Sequence, residues 1–135
     1  MKRKHSLEWA IKDVIDFHDA TDTPILDKPA FPAENRIVLR VRLLKEEVLE
    51  TFDAIEARDL VEVADGIADI IYVAIGMAVE FGIPLADVWD EVQRSNMAKI
   101  NPKTGKADKR ADGKVIKPEG WTPPDIASII GEYTP

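Results

Sequence analysis

Between Asp59 and Gln93 the chain has no Lys, Arg or His, yet it sets acids inside its most apolar stretch. From Leu60 to Val79 the only charged residues are Glu62, Asp65 and Asp69, among Val61, Val63, Ala64, Ile67, Ala68, Ile70, Ile71 and Val73. Spacings of three and four put these acids in one stripe on a helix. A carboxylate in apolar surroundings must protonate or find a cation, because an unpaired buried charge is strongly unfavourable. This helix cannot supply the cation itself. Glu62, in the first turn, can be accounted for as a solvated cap, but Asp65 and Asp69 lie too far inside the stretch for that.

The rest of the chain predicts three more helices and no strand. Helix one spans about Leu7–Asp19, with Ser6 as N-cap and Leu7, Ile11, Val14, Ile15 and His18 at helical spacing. Three prolines (Pro24, Pro29, Pro32) then interrupt the chain. Helix two spans about Ala33–Ala57. The acid-bearing helix three starts after Asp59 and stops near Phe81, with Gly82 past its end and Pro84 beyond. Helix four covers about Pro84–Met97. Residues 99–124, rich in Lys, Gly, Pro and Asp, read as loop, and Asp125–Ile130 as one or two helical turns. The expected architecture is all-α: an antiparallel four-helix bundle over about 7–97 with a long irregular C-terminal tail, in one domain over 1–135. Helix three is apolar nearly all round, which makes it central or places it at a subunit interface. The second option predicts a homo-oligomer.

The net charge of −7, from 18 basic and 25 acidic residues, argues against binding nucleic acid through the whole surface. The charge is uneven. Lys99, Lys103, Lys106, Lys109, Arg110, Lys114 and Lys117 make the tail basic, so an acidic body carries a cationic end. The acids of helix three argue against a membrane span, and the amphipathic start argues against a signal peptide. With no cysteine, disulfides and thiolate metal sites are excluded, which fits a cytoplasmic protein.

Helix two carries a second acidic patch in Glu46-Glu47-Val48-Leu49-Glu50. Steps of four and three turn Glu46 and Glu47 toward Glu50, and like charges at such steps repel. Two such patches facing each other on adjacent antiparallel helices would form an oxygen-only cage, the ligand set of Mg²⁺ or Mn²⁺. A helical di-iron site would need Glu-x-x-His pairs. The two histidines, His5 and His18, are preceded at that distance by Lys2 and Ile15. Magnesium remains the metal that the residues suit.

Glu46-Glu47-x-x-Glu50, followed by an acidic stripe ending in Asp69-Ile70-Ile71-Tyr72, resembles the all-α NTP pyrophosphatase superfamily: MazG-like enzymes, dimeric dUTPases and phosphoribosyl-ATP pyrophosphohydrolases. Its signature is E-E-x-x-E followed by E-x-x-D. The segments Arg94–Lys99, Arg110–Lys114 and Lys117–Trp121 look most similar to the MazG-like, dUTPase-related branch, rather than to phosphoribosyl-ATP pyrophosphohydrolases. The resemblance implies Mg²⁺-dependent cleavage of a (d)NTP, dUTP or dCTP by the branch, between the α and β phosphates, as nucleotide-pool house-cleaning by a homodimer or dimer of dimers. It implies Glu46, Glu47, Glu50, Glu62, Asp65 and Asp69 as metal ligands, with Glu46 and Glu47 also as catalytic carboxylates. There is one departure. With Asp69 as the family's Asp, Gly66 stands at the expected Glu; alternatively Glu62-Val63-Ala64-Asp65 is the E-x-x-D and Asp69 is additional. A non-catalytic helical module that binds a nucleotide or a partner is the rival from another class.

The resemblance also implies substrate contacts from Asn96, Lys99, Arg110 and Lys114, with Asp112-Gly113 as a turn presenting flanking cations. Against it, Asn96 and Lys99 can simply finish helix four. Trp121 reads first as a pin for the tail. His18, with Phe17 and Trp9, is a candidate base pocket, and Arg36 and Arg40 can meet phosphates or pair with acids.

Overall fold

Two of the main helices start where a side chain takes up a free backbone N–H of the first turn. Ser6 Oγ accepts from the Trp9 N–H at 3.2 Å, and Asp59 Oδ1 accepts from that of Glu62 at 3.1 Å. The computed structural model describes residues 5–133, so most of the basic start, residues 1–4, lies outside them. The helices are α1 (Leu7–Ala20), α2 (Glu34–Glu56), α3 (Leu60–Glu80), α4 (Leu85–Met97) and a short α5 (Ile126–Ile130). Between α4 and α5 lie two short strands, β1 (Ile100–Asn101) and β2 (Lys106–Ala107). The fold is all-α, with four main helices as expected. Among the described residues no single helix is long and apolar enough to cross a membrane.

The contacts divide the chain into two compact units, one reaching Ile83 and including Glu132 and Tyr133, the other Pro84–Gly131. In the first unit, α2 turns into antiparallel α3 through Ala57–Asp59, where Arg58 takes φ +57°. Two glycines let the helices approach. A Cβ at position 66 would overlap Thr51 Oγ1, and one at position 76 would stand 2.9 Å from both terminal nitrogens of Arg40. Val14, Ala54, Ile75, Ala78 and Val79 are the buried apolar residues of this unit. The proline-rich connection runs along the end of α3: the Leu26 N–H donates to Val79 O (3.1 Å) and the Ala30 N–H to Phe81 O (3.0 Å). Gly82, at φ +65°, has no room for a Cβ beside the Lys28 carbonyl.

In the second unit, Trp121 Nε1 donates to the carbonyl of buried Ser95 at 2.7 Å. Lys99 and Lys117 lie over the Trp121 ring at 5.4 and 4.6 Å. Trp121 thus holds the tail on α4. The Asp125 N–H adds a bond to Glu91 Oε1 at 2.9 Å. The stretch expected to be loop contains a small hairpin, β1 against β2, with Ile100 opposite Ala107. Its turn is closed by the Gly105 N–H on Asn101 O (2.8 Å) and braced by Asn101 Nδ2 on Asp108 Oδ2 (3.1 Å). Polar side chains rather than apolar alternation hold these strands, so periodicity does not reveal them.

Candidate active site: a carboxylate cluster on two antiparallel helices

The pairing of residue 51 with 66, and of 40 with 76, sets the register of α2 against α3 and places Glu47 opposite Asp69. The backbone of Glu47 is tied to the same contact, since its carbonyl accepts from Thr51 Oγ1 at 2.7 Å. Burial first, and then the charges of Asp69, Glu50, Asp65 and Glu46, hold the Glu47 carboxyl above its ordinary value. All four charges are negative. Four of the six acids read from the sequence therefore act on a fifth, Glu47, across two helices. Glu50 and Asp65 are exposed and Asp69 half-buried, so the stripe on α3 is not sunk in apolar surroundings as expected.

Glu62 stands apart. It is exposed in the first turn of α3, its N–H taken by Asp59, and it is not among the charges acting on Glu47. Glu46 is exposed and faces Arg42 along its own helix at 3.9 Å. Among the described residues, no three acids or histidines lie close enough together to form a ready-made metal site. Mg²⁺ does not require one, because it keeps several waters and binds through one or two carboxylates plus substrate phosphates.

The remaining candidates belong to other segments of the chain. His18 is 2% exposed, and both ring nitrogens are engaged, Nδ1 with Pro24 O at 3.1 Å and Nε2 with Arg40 Nη2 at 3.2 Å. A carbonyl can only accept, so Nδ1 carries the proton and Nε2 accepts from Arg40. Burial first, helped by the Arg40 charge, lowers the affinity of His18 for a second proton. In the second unit, Lys99 Nζ donates to Asn96 Oδ1 at 3.0 Å. Asp112-Gly113 does form a turn, with Gly113 at φ +85°. Asp112 nevertheless draws the Arg110 guanidinium into that turn (2.8 Å) and accepts from the Lys114 N–H (3.0 Å).

Sequence reasoning missed Glu80. It is wholly buried at the end of α3, where Arg36 Nε donates to Oε1 (2.7 Å), Arg36 Nη2 to Oε2 (3.1 Å), and Arg40 Nε also to Oε2. Burial alone would raise the Glu80 pKa, but the hydrogen bonds and charges of the two arginines outweigh it and lower it. The available signal was an i,i+4 arginine pair early in α2 and a lone acid late in α3, which antiparallel packing brings together. Beside this network α1, α2 and α3 enclose a cavity of about 300 Å³, reached by Phe17, His18, Arg36, Arg40 and Tyr72.

The phosphoribosyl-ATP pyrophosphohydrolase family pattern matches residues 14–96, which include every carboxylate of the cluster. The chain belongs to that family. The match stops before the tail, on which most of the likeness to the MazG-like branch rests. A crystal structure from Exiguobacterium sp. 255-15, provisionally assigned as an NTP pyrophosphohydrolase, shares 27% identity and a TM-score of 0.51, covering 90% of this chain and 93% of its own. The uncharacterized protein L479 of Acanthamoeba polyphaga mimivirus is 47% identical over 49 residues, or 36% of this chain. That alignment spans a fifth of the viral protein. Family and structural likeness together support a pyrophosphohydrolase, a hydrolase built on an all-helical NTP pyrophosphatase-like fold.

Proposed function

We propose that the protein is a Mg²⁺-dependent nucleoside triphosphate pyrophosphohydrolase of the MazG-like, dUTPase-related branch, converting a (d)NTP to its monophosphate and pyrophosphate. The observation that carries the reading is Glu47, half-buried and acted on by four carboxylates of two helices with no cation among those charges. An all-oxygen donor set left uncompensated fits a hard divalent cation. Glu47, Glu50, Asp65 and Asp69 would hold it, and Mn²⁺ could replace Mg²⁺. The bound metal supplies charge neutralisation on the triphosphate and polarisation of the attacked phosphorus. Glu46, exposed and only loosely paired with Arg42, would accept the proton of the attacking water. Glu62, exposed and outside the charges acting on Glu47, is left out of the ligand set.

The reading includes a homodimer. Val38, Val41, Leu49, Phe52 and Ile55 leave an exposed apolar stripe along α2, and Leu60, Ile67 and Ile71 leave one along α3. Stripes of that kind support a second copy as the occupant. Light scattering should give a dimer mass that Phe52→Glu reduces.

The deciding experiment is pyrophosphate release from a panel of dNTPs with and without Mg²⁺. The wild type should be active only with metal, and Glu50→Gln should lose about a hundredfold or more. Full activity in Glu50→Gln would overturn the metal reading.

A further inference from the structure

His18 joins three segments of the first unit through its buried ring. It stands in the last turn of α1, its Nδ1–H is given to Pro24 O at 3.1 Å, and its Nε2 accepts from Arg40 Nη2 of α2 at 3.2 Å. Phe17, His18 and Thr23 also form one side of the cavity, which α2 and α3 close from the others.

A second proton on this ring would face a donor. Nε2–H would point at an N–H of Arg40, cation against cation, away from water. The other charges acting on His18 are Arg36 from α2 and Glu80 from α3, while the proline-rich segment offers the Pro24 carbonyl. Glu80 attracts the charged ring, as does the carbonyl end of α1. Both Glu80 oxygens are already held by the arginines, however. Burial first, and then the two arginines, keep the ring neutral.

Relief of that conflict can be local. From Leu26 onward the proline-rich segment is bonded to the end of α3, by the Leu26 N–H on Val79 O and the Ala30 N–H on Phe81 O. The turn before it is bonded to α1 itself, through the N–H groups of Thr21, Asp22 and Thr23 on carbonyls of Phe17, His18 and Asp19. Residues 7–24 therefore form one piece, hinged at Ile25. Apolar packing on α3, with Phe17 edge to face on Tyr72 at 5.9 Å, opposes its movement at every pH.

We infer that α1 is an acid-released wall of the cavity: a proton on His18 Nε2 breaks its bond with Arg40, and α1 with its turn opens while α2 and α3 stay paired. The charged ring keeps its Nδ1–H on Pro24 O and moves outward with it. The device acts on whatever the cavity holds and does not depend on the catalytic reading.

Hydrogen exchange of the whole protein at pH values of about 7.5 and about 5.5, corrected for the intrinsic rate, tests this. A ring that ionises near 6.5 once released should raise the opening of residues 7–24 several-fold, up to about tenfold, across that interval. Protection in α2 and α3 should hardly change. His18→Gln, whose amide donates and accepts without titrating, should remove the pH dependence. His5→Gln, at an exposed position, should keep it. If His18→Gln does not fold, the wild-type ring decides. The opening must begin near 6.5 and level off at the His18 midpoint measured by NMR, and a rise that ignores that midpoint would overturn the inference. Unchanged protection of α1, a loss shared equally by α2 and α3, or a loss that persists in His18→Gln would each overturn it as well.

Discussion

Thr51 of α2 occupies the space that a side chain at Gly66 of α3 would need, and its hydroxyl is fixed there by the Glu47 carbonyl at 2.7 Å. The absence of an acid at position 66 is therefore a packing requirement of the helix pair. The same contact holds Glu47 and Asp69 at matching heights on the two helices.

Gly66→Ala tests that contact. An added methyl would stand 3.0 Å from Thr51 Cβ as well as overlapping its oxygen, and overpacking of this kind costs about 1–3 kcal/mol. Removing a glycine from a helix returns about 1 kcal/mol, so the net loss should be up to about 2 kcal/mol by urea denaturation. Adding Thr51→Ala should recover part of it. A gain in stability from Gly66→Ala alone would show that the helices stand further apart.

Glu47 should make the metal-free protein less stable as pH rises. Its folded pKa lies above the ordinary 4.5, so between these values the folded state binds more protons than the unfolded. Stability is greatest below 4.5 and declines as pH rises through the folded value. Glu47→Gln should remove this slope and raise neutral-pH stability without metal by on the order of a few tenths of a kcal/mol. Thermal melts from pH 4 to 8 in EDTA measure it, and an unchanged slope would contradict the like-charge cluster.

Glu80 and His18 act in the opposite sense. The lowered Glu80 pKa gives stability that is complete above 4.5 and lost as pH falls through the folded value. The lowered His18 pKa gives stability complete above 6.5 and lost as pH falls below it, because the unfolded ring takes the proton first. Glu80→Gln leaves two arginines facing each other and should destabilise by about 3–5 kcal/mol. Replacing all three charges together, as Glu80→Met with Arg36→Met and Arg40→Leu, should restore most of that loss. A triple variant as unstable as Glu80→Gln would count against the ion cluster as the cause.

Trp121→Phe keeps the ring beneath Lys99 and Lys117 but removes the bond to Ser95 O. The loss should be about 1 kcal/mol and local to Pro84–Gly131. Hydrogen exchange should quicken there and remain unchanged in α2 and α3. Protection lost evenly along the chain would show that the tail tie is not local.

Spacing within one helix was legible in the sequence, and pairing between helices was not. The Asp65/Asp69 stripe and the Glu46/Glu47/Glu50 patch follow from steps of three and four, and the caps at Ser6 and Asp59 follow from residue type. The Glu80 cluster was hidden because it depends on register: 44 residues separate Arg36 from Glu80, and the packing of α2 on α3, including the glycine contacts, fixes where they meet. His18 looked like one more apolar-face position on α1, and its two hydrogen bonds come from a proline-rich segment and from α2. Asn101, Thr104 and Asp108 build the hairpin through side-chain bonds that leave no periodic trace.

The enclosed knot of one acid and two arginines bears on how this chain can drift. Glu80 and Arg40 are buried and the Arg36 side chain is 24% exposed, so a single change at 36, 40 or 80 leaves the remaining charges short of a partner and meets a barrier that simultaneous changes avoid. Those three positions are expected to be inherited and exchanged as a set, while exposed neighbours such as Glu34 and Asn35 vary freely.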